Sequence, residues 1–172
     1  MKSVIFERKK RYMNSTVRKI SIPRLVLACL LSLAAGALGG LLAGNSFDTY
    51  SALQKPPLAP PGFIFPIVWT VLYLLMGAAS YFVAEKGGEE SRKALTTYAF
   101  YMVLNILWPT AFFKKGAILG ALILLAGQLI LIFACVTAYR KIDKKAALFL
   151  IPTTLWSLFA FYLNLGFLVL NR

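Results

Sequence analysis

Three apolar stretches of the chain carry aromatic and polar side chains at helical spacing. In one, Tyr98, Tyr101, Asn105, Trp108 and Phe112 recur at i, i+3, i+7, i+10 and i+14, which places them on one face of a helix. In a second, Trp69, Tyr73 and Ser80 lie on or near a common face, and in a third Thr153, Trp156, Ala160 and Asn164 do the same. All three tryptophans sit in these stripes and none in a connecting segment. Aromatic walls with a few placed amides and hydroxyls suit a large, flat, largely apolar ligand, because such sites are mostly hydrophobic with a small number of orienting polar groups. Taken singly, each residue reads as well as bundle packing: Tyr and Trp anchor at membrane interfaces, and an Asn between helices contributes about 0.6 to 1.7 kcal/mol as a hydrogen-bonding contact. The coincidence of three stripes carries the pocket reading.

The chemistry this set cannot do is as informative. There is no histidine, which removes the commonest metal ligand, the usual haem ligand and the usual general base. The six acidic residues all lie near segment ends, so no intramembrane carboxylate is offered for a proton relay. Cys29 and Cys135 fall inside apolar runs, where a cysteine behaves as a small hydrophobe. No acid, base, metal ligand or activated nucleophile is evident, so no metal site and no catalytic residue is expected.

The elements that must position the stripes are membrane spans. With 59% hydrophobic residues among 172 and a mean hydropathy of +0.72, the chain is too apolar for an ordinary soluble domain of this size. Five runs are long enough to cross a bilayer, at about residues 25–44, 62–84, 94–113, 117–139 and 146–170. We therefore expect an all-α integral membrane protein, a five-helix transmembrane bundle over residues 23–172. A basic N-terminal extension over 1–22 precedes it, disordered in this reading and serving as a topology signal, with binding to anionic lipid as the alternative use. An uncleaved first helix is favoured over a signal peptide cut near "AAGALGG".

The net charge of +13 fits this picture. Lys2, Arg8, Lys9, Lys10, Arg11, Arg18, Lys19 and Arg24, then Lys86, Arg92 and Lys93, then Arg140, Lys141, Lys144 and Lys145 fall on the side of the N-terminus, against Lys55, Lys114, Lys115 and Arg172 on the other. By the positive-inside rule the N-terminus is cytoplasmic and the C-terminus outside. Charges placed between apolar runs read as topology signals, so nucleic acid is not an expected partner.

Two backbone signals complete the pattern. Ser32, Gly36, Gly40 and Gly44 repeat every four residues, a small-residue ridge that allows close helix packing or dimerisation. The connection Asn45–Pro61 carries "KPPLAPP", whose prolines fix their own backbone and bar the preceding residues from helix. At about 17 residues it exceeds the usual link between bundle helices, and stiffness lowers the entropy lost when a lid closes over a bundle mouth.

The segments "TYSALQKPPLAPPGFIFPIVWTVLYLLMGAAS", "LNILWPTAFF" and "PTTLWSLFAFYLN" together resemble the TspO/MBR family of tryptophan-rich sensory proteins and translocator proteins, the peripheral benzodiazepine receptor family. The resemblance covers about Leu25 to Asn171. It implies a five-helix bundle, often dimeric, with a pocket under the loop after the first helix that binds porphyrins and, in some members, benzodiazepine-type ligands. Carried over by motif position, the lining would be Tyr50, Pro60, Trp69, Tyr73, Asn105, Trp108, Trp156, Ala160 and Asn164. The chain departs from the family pattern at Thr49, Leu58 and Thr153, where an aromatic residue is usual, and at Leu124, where an acidic one is common. These departures bear on affinity and ligand identity, not on the fold.

The function expected is tetrapyrrole binding in an intrabundle pocket of a bacterial cell-membrane protein, for sensing, sequestration or transport. Porphyrin is then a ligand, no cofactor is obligatory, and the partners are membrane lipid and a second copy of the chain. Two alternatives stand beside it: light-dependent porphyrin degradation, without expectation of true enzymatic turnover, and a membrane scaffold whose pocket is vestigial.

Overall fold

The computed structural model describes residues 20–171, and the basic extension expected over 1–22 lies almost wholly outside them. The described chain forms α1 (Ile22–Ala43), α2 (Ser46–Ala52), α3 (Ile64–Lys86), α4 (Gly88–Pro109), α5 (Ile118–Ile142) and α6 (Lys144–Leu170), with a π-helical turn at Thr110–Lys114. Four of these, α1, α3, α5 and α6, are long and apolar enough to cross a membrane. Helix α4 matches them in length, 22 residues, but its opening carries Glu89, Glu90, Arg92 and Lys93. Where the apolar run begins at Ala94, the helix itself starts earlier, at Gly88. Gly87 and Gly88, at φ +68° and +84°, turn the chain from α3 straight into α4, a backbone path that a side chain would resist.

The long helices form a closed ring in which α1 packs on α3, α3 on α6, α6 on α5, α5 on α4 and α4 on α1. The tightest contact is between α1 and α3. A Cβ on Gly77 would stand 2.5 Å from the Cα of Cys29, so only glycine lets these two backbones approach so closely. The ridge seen in the sequence is used within the chain: the Ser32 hydroxyl is 2.9 Å from that of Tyr98, and Gly36 lies under the ring of Tyr73.

The connection read as one stiff segment is divided. Its first half, Ser46–Ala52, lacks proline and glycine and coils into α2, while the prolines keep the second half out of helix. Pro56 to Ala59 make a turn closed by the Ala59 amide to the Pro56 carbonyl at 3.2 Å. Leu58 takes φ +65°, a position that type II turns usually give to glycine.

At the opposite end the helices are pinned by polar contacts. Arg24 pairs with Glu85 at 3.1 Å, Lys86 pairs with Asp143 at 3.1 Å, and the Ser21 amide donates to the Tyr81 hydroxyl at 2.8 Å. Asp143 also caps α6 by accepting from the amides of Lys145 at 2.8 Å and Ala146 at 3.2 Å. Partial burial pushes its carboxyl up, but the hydrogen bonds from Lys86 and the two amides outweigh this and hold it below the usual carboxylate range. Its stabilising contribution is therefore complete above the ordinary carboxylate pKa of about 3.9 and is lost as pH falls through the lowered value. Asp143→Ala is expected to cost about 1 kcal/mol at neutral pH. Asp143→Asn should cost less, since it keeps the cap, and its deficit should disappear in acid; thermal unfolding in detergent across pH checks both.

Candidate functional site

The stripe on α4 turns into the ring, and Asn105 is where it meets the other helices. Its Oδ1 accepts from the Tyr73 hydroxyl of α3, and its Nδ2 donates to Gln128 Oε1 of α5 at 3.2 Å and to the Tyr101 hydroxyl at 3.5 Å. Gln128 Nε2 donates in turn to the Leu104 carbonyl at 3.2 Å. Every one of these side chains is buried, so the network satisfies groups that would otherwise be costly in a low-dielectric interior. It also fixes Tyr73, whose ring occupies the space above Gly36. A Cβ on Gly36 would lie 2.1 Å from a Tyr73 ring carbon.

Bare on one side and aromatic on the other, the α1, α3 and α4 faces enclose a cavity of about 440 Å³. Gly36, Ala37 and Gly40 form its low wall. Trp69, Tyr73, Asn105 and Trp108 face them, with the rings of Trp69 and Tyr73 5.5 Å apart. The size falls within the range of about 300–1,000 Å³ typical of small-molecule sites, and the lining is apolar with few polar groups, as such sites are.

The remaining expected residues are placed elsewhere. Tyr50, Ala160 and Asn164 line a neighbouring chamber of about 20 Å³, together with Trp108. Trp108 thus serves both chambers, and its indole N–H donates to Asn164 Oδ1 at 3.0 Å, while Asn164 Nδ2 donates to the Ile118 carbonyl at 3.0 Å. Pro60 lines neither chamber but accepts the Tyr50 hydroxyl at 2.6 Å through its carbonyl. Trp156 also lines neither. Its ring packs edgewise on Phe65 with centroids 6.1 Å apart, and its Nε1 is buried with no hydrogen-bond partner among the described residues.

The proline segment is fastened across the end of α6. Gln54 and Asn171 exchange hydrogen bonds at 2.9 and 3.0 Å, the Tyr162 hydroxyl donates to the Pro57 carbonyl at 2.9 Å, and Pro56 sits on bare Gly166. On the other flank Thr49 Oγ1 reaches the Phe113 carbonyl at 3.4 Å, which ties α2 to the π turn. The loop is thereby held over the bundle end where Ser46, Pro66 and Phe113 line the large cavity.

Among the lining features outside the sequence stripes are Phe65, Phe113 and the glycine wall of α1. The four-residue glycine spacing marked that wall as a packing ridge. Phe113 is brought in by the π turn, whose Lys115 amide bonds the Thr110 carbonyl at 3.1 Å, one residue wider than an α-helix closes. Phe65 had no periodic signal, being on the first turn of α3.

The sequence profile of the TspO/MBR family matches residues 28–170. Tryptophan-rich protein TspO of Chlorobaculum tepidum is 34% identical over 155 residues, covering 86% of this chain and 95% of that protein. The Translocator protein of Bos taurus is 36% identical over 139 residues, covering 74% and 80%. The tryptophan-rich sensory protein of Cereibacter sphaeroides is 33% identical over 133 residues, covering 77% and 82%.

The amide network gives a direct expectation. Asn105→Ala removes partners from Tyr73, Tyr101 and Gln128 at once and should cost about 1–3 kcal/mol of stability. Tyr73→Phe should cost less, and the double variant should fall short of the sum of the two, because they share a contact; unfolding in detergent micelles measures all three.

Proposed function

The chain belongs to the TspO/MBR family, and from that premise we propose that this integral membrane protein binds tetrapyrroles in the cavity between α1, α3 and α4, for sensing, sequestration or transport. The observation that carries the reading is the aromatic wall of Trp69, Tyr73 and Trp108 facing glycine and alanine across about 440 Å³. A flat macrocycle gains most from such a slot, because stacking on rings adds to the burial of its faces. The polar groups suit it too: the Thr70 hydroxyl, whose proton goes to the Pro66 carbonyl, keeps an oxygen that can accept from a ring edge, and Lys114 and Lys115, directly after the lining Phe113, provide positive charge for propionate groups.

In this reading α4 crosses the membrane as a fifth span. Its polar stripe packs inside the ring instead of facing lipid, and its charged first turns fall at the basic end with Arg24, Lys86 and Lys144. That end is cytoplasmic by the positive-inside rule, and the lid lies on the outer side. A second copy of the chain completes the assembly through lipid-facing helix surfaces.

Titration of the detergent-purified protein with protoporphyrin IX in the dark, followed by tryptophan quenching and the porphyrin spectrum, tests the function. Saturable one-site binding is expected. Trp69→Ala should weaken it about tenfold, the scale of one lost stacking contact plus its buried area. Weak, unsaturable binding that ignores Trp69 would contradict the reading.

A further inference from the structure

Charge is unevenly spread over the basic end. Around α1, α3 and α4 the cations stand among acids: Arg24 pairs with Glu85, Lys86 with Asp143, and Lys93 with Glu89 and Glu90 at 2.9 and 3.6 Å. The α5–α6 corner is different. Arg140 and Lys141 close α5, Lys144 and Lys145 open α6, and only Ile142 and Asp143 lie between them. All four cations are exposed, and among the described residues none of them forms an ion pair. Asp143, the acid of the corner, is engaged elsewhere: its Oδ2 takes Lys86, and its Oδ1 takes the Lys145 and Ala146 amides.

Neither helix stability nor topology accounts for this gathering. Arg140 and Lys141 suit the negative end of the α5 dipole, but Lys144 and Lys145 stand at the positive end of α6, whose first turn has no acidic residue. The positive-inside rule asks only that cations lie on this side of the membrane, not that four of them crowd one turn. The surface leading to the corner is apolar. On α5 the exposed Ile130 and Phe133 share a face with Arg140, at i, i+3 and i+10. On α6 the exposed Leu148, Ile151 and Leu155 share a face with Lys144, at i+4, i+7 and i+11 from it. Since α5 and α6 pack side by side, two apolar tracks run along the outside of the bundle, and each ends in a pair of cations.

We propose that the α5–α6 corner binds an anionic phospholipid whose headgroup carries two phosphates, as in cardiolipin. Arg140 and Lys141 take one phosphate and Lys144 and Lys145 the other, the Arg140 guanidinium offering a planar fork to two oxygens. The acyl chains lie along the Ile130–Phe133 and Leu148–Leu155 tracks. Juxtamembrane cations attract such headgroups because they sit at the depth of the phosphates. A soluble phosphate would meet the same cations but leave both tracks uncovered, so the lipid is the better match to the whole surface. Once bound, it joins α5 to α6 across the one-residue turn and offsets the repulsion between Lys144, Lys145 and the positive end of α6. The site lies on the outside of the bundle and is independent of the tetrapyrrole reading.

The test titrates the whole chain in neutral detergent micelles with tetraoleoyl cardiolipin, reading bound lipid by native mass spectrometry and the unfolding midpoint by thermal shift. Dioleoylphosphatidylglycerol, with one phosphate, is the comparison. Cardiolipin should bind at one equivalent, about tenfold tighter than phosphatidylglycerol, and raise the midpoint. Lys144→Gln/Lys145→Gln and Arg140→Gln/Lys141→Gln should each weaken it about 10- to 30-fold, the scale of two juxtamembrane cations. Arg92→Gln/Lys93→Gln, which removes as much charge from the same end, should leave binding unchanged. Without lipid, Lys144→Gln/Lys145→Gln should unfold no earlier than the wild type, because it relieves the α6 dipole, so its lost binding is not lost folding. Pyrophosphate in about hundredfold excess should not displace the lipid. Tight binding kept by both corner variants, or equal weakening by Arg92→Gln/Lys93→Gln, overturns the site in favour of diffuse charge or the basic residues before Ile20. Phosphatidylglycerol binding as tightly as cardiolipin overturns the two-phosphate match, and displacement by pyrophosphate overturns a lipid as the occupant.

Discussion

A carboxamide buried among helices must have its donors and acceptor filled, and in this bundle that demand falls on Asn105. Hydrocarbon offers no substitute partners, so the three helices that supply them are held in one arrangement. Tyr73 from α3, Gln128 from α5 and Tyr101 from α4 itself converge on the one side chain. The position of Tyr73 then follows, and with it the shape of the cavity. Its hydroxyl is anchored to Asn105 and its ring rests over Gly36, where a single methyl group could not be accommodated. The aromatic wall is thus placed by a polar contact on one edge and by the absence of a side chain on the other.

The same division of labour appears at the two ends of the bundle. The basic end is closed by very short turns, one residue at Gly87 and one at Asp143, and by ion pairs that fasten α1, α3 and the α5–α6 corner. Exposed pairs of this kind contribute little individually, about 0–1 kcal/mol, so the cap at Asp143 carries more of that end's definition than the charges do. The lid end has long connections in place of short ones. It is fastened by hydrogen bonds to backbone carbonyls and by a proline resting on Gly166, contacts that can be released without unfolding a helix. The bundle is thus rigid at one end and latched at the other.

Much of this was legible in the sequence, because helical periodicity fixes which residues share a face. Tyr98, Tyr101, Asn105 and Trp108 do face inward together, and Trp69 and Tyr73 meet two of them at one cavity. Periodicity does not say which neighbour a face will meet. The α6 stripe accordingly divides: Ala160 and Asn164 reach the small chamber, while Trp156 lies behind Phe65. Nor does a constant 3.6-residue phase survive the π turn, which is why Phe113 lines the cavities alongside the stripe. Phe65 was invisible for a different reason. It stands between two cavities, and cavities are properties of packing, not of any one helix.

Where a tetrapyrrole sits relative to the two tryptophans of the large cavity decides whether the cavity is its site. Bound manganese(III) protoporphyrin, whose paramagnetic centre broadens nearby nuclei, reports this through the three indole N–H resonances. At one equivalent the Trp69 and Trp108 signals are expected to broaden beyond detection while amides at the basic end near Asp143 stay sharp. Broadening spread evenly over lipid-facing aromatic residues, with the Trp69 and Trp108 signals left sharp, would place the macrocycle outside the bundle and contradict the cavity as its site.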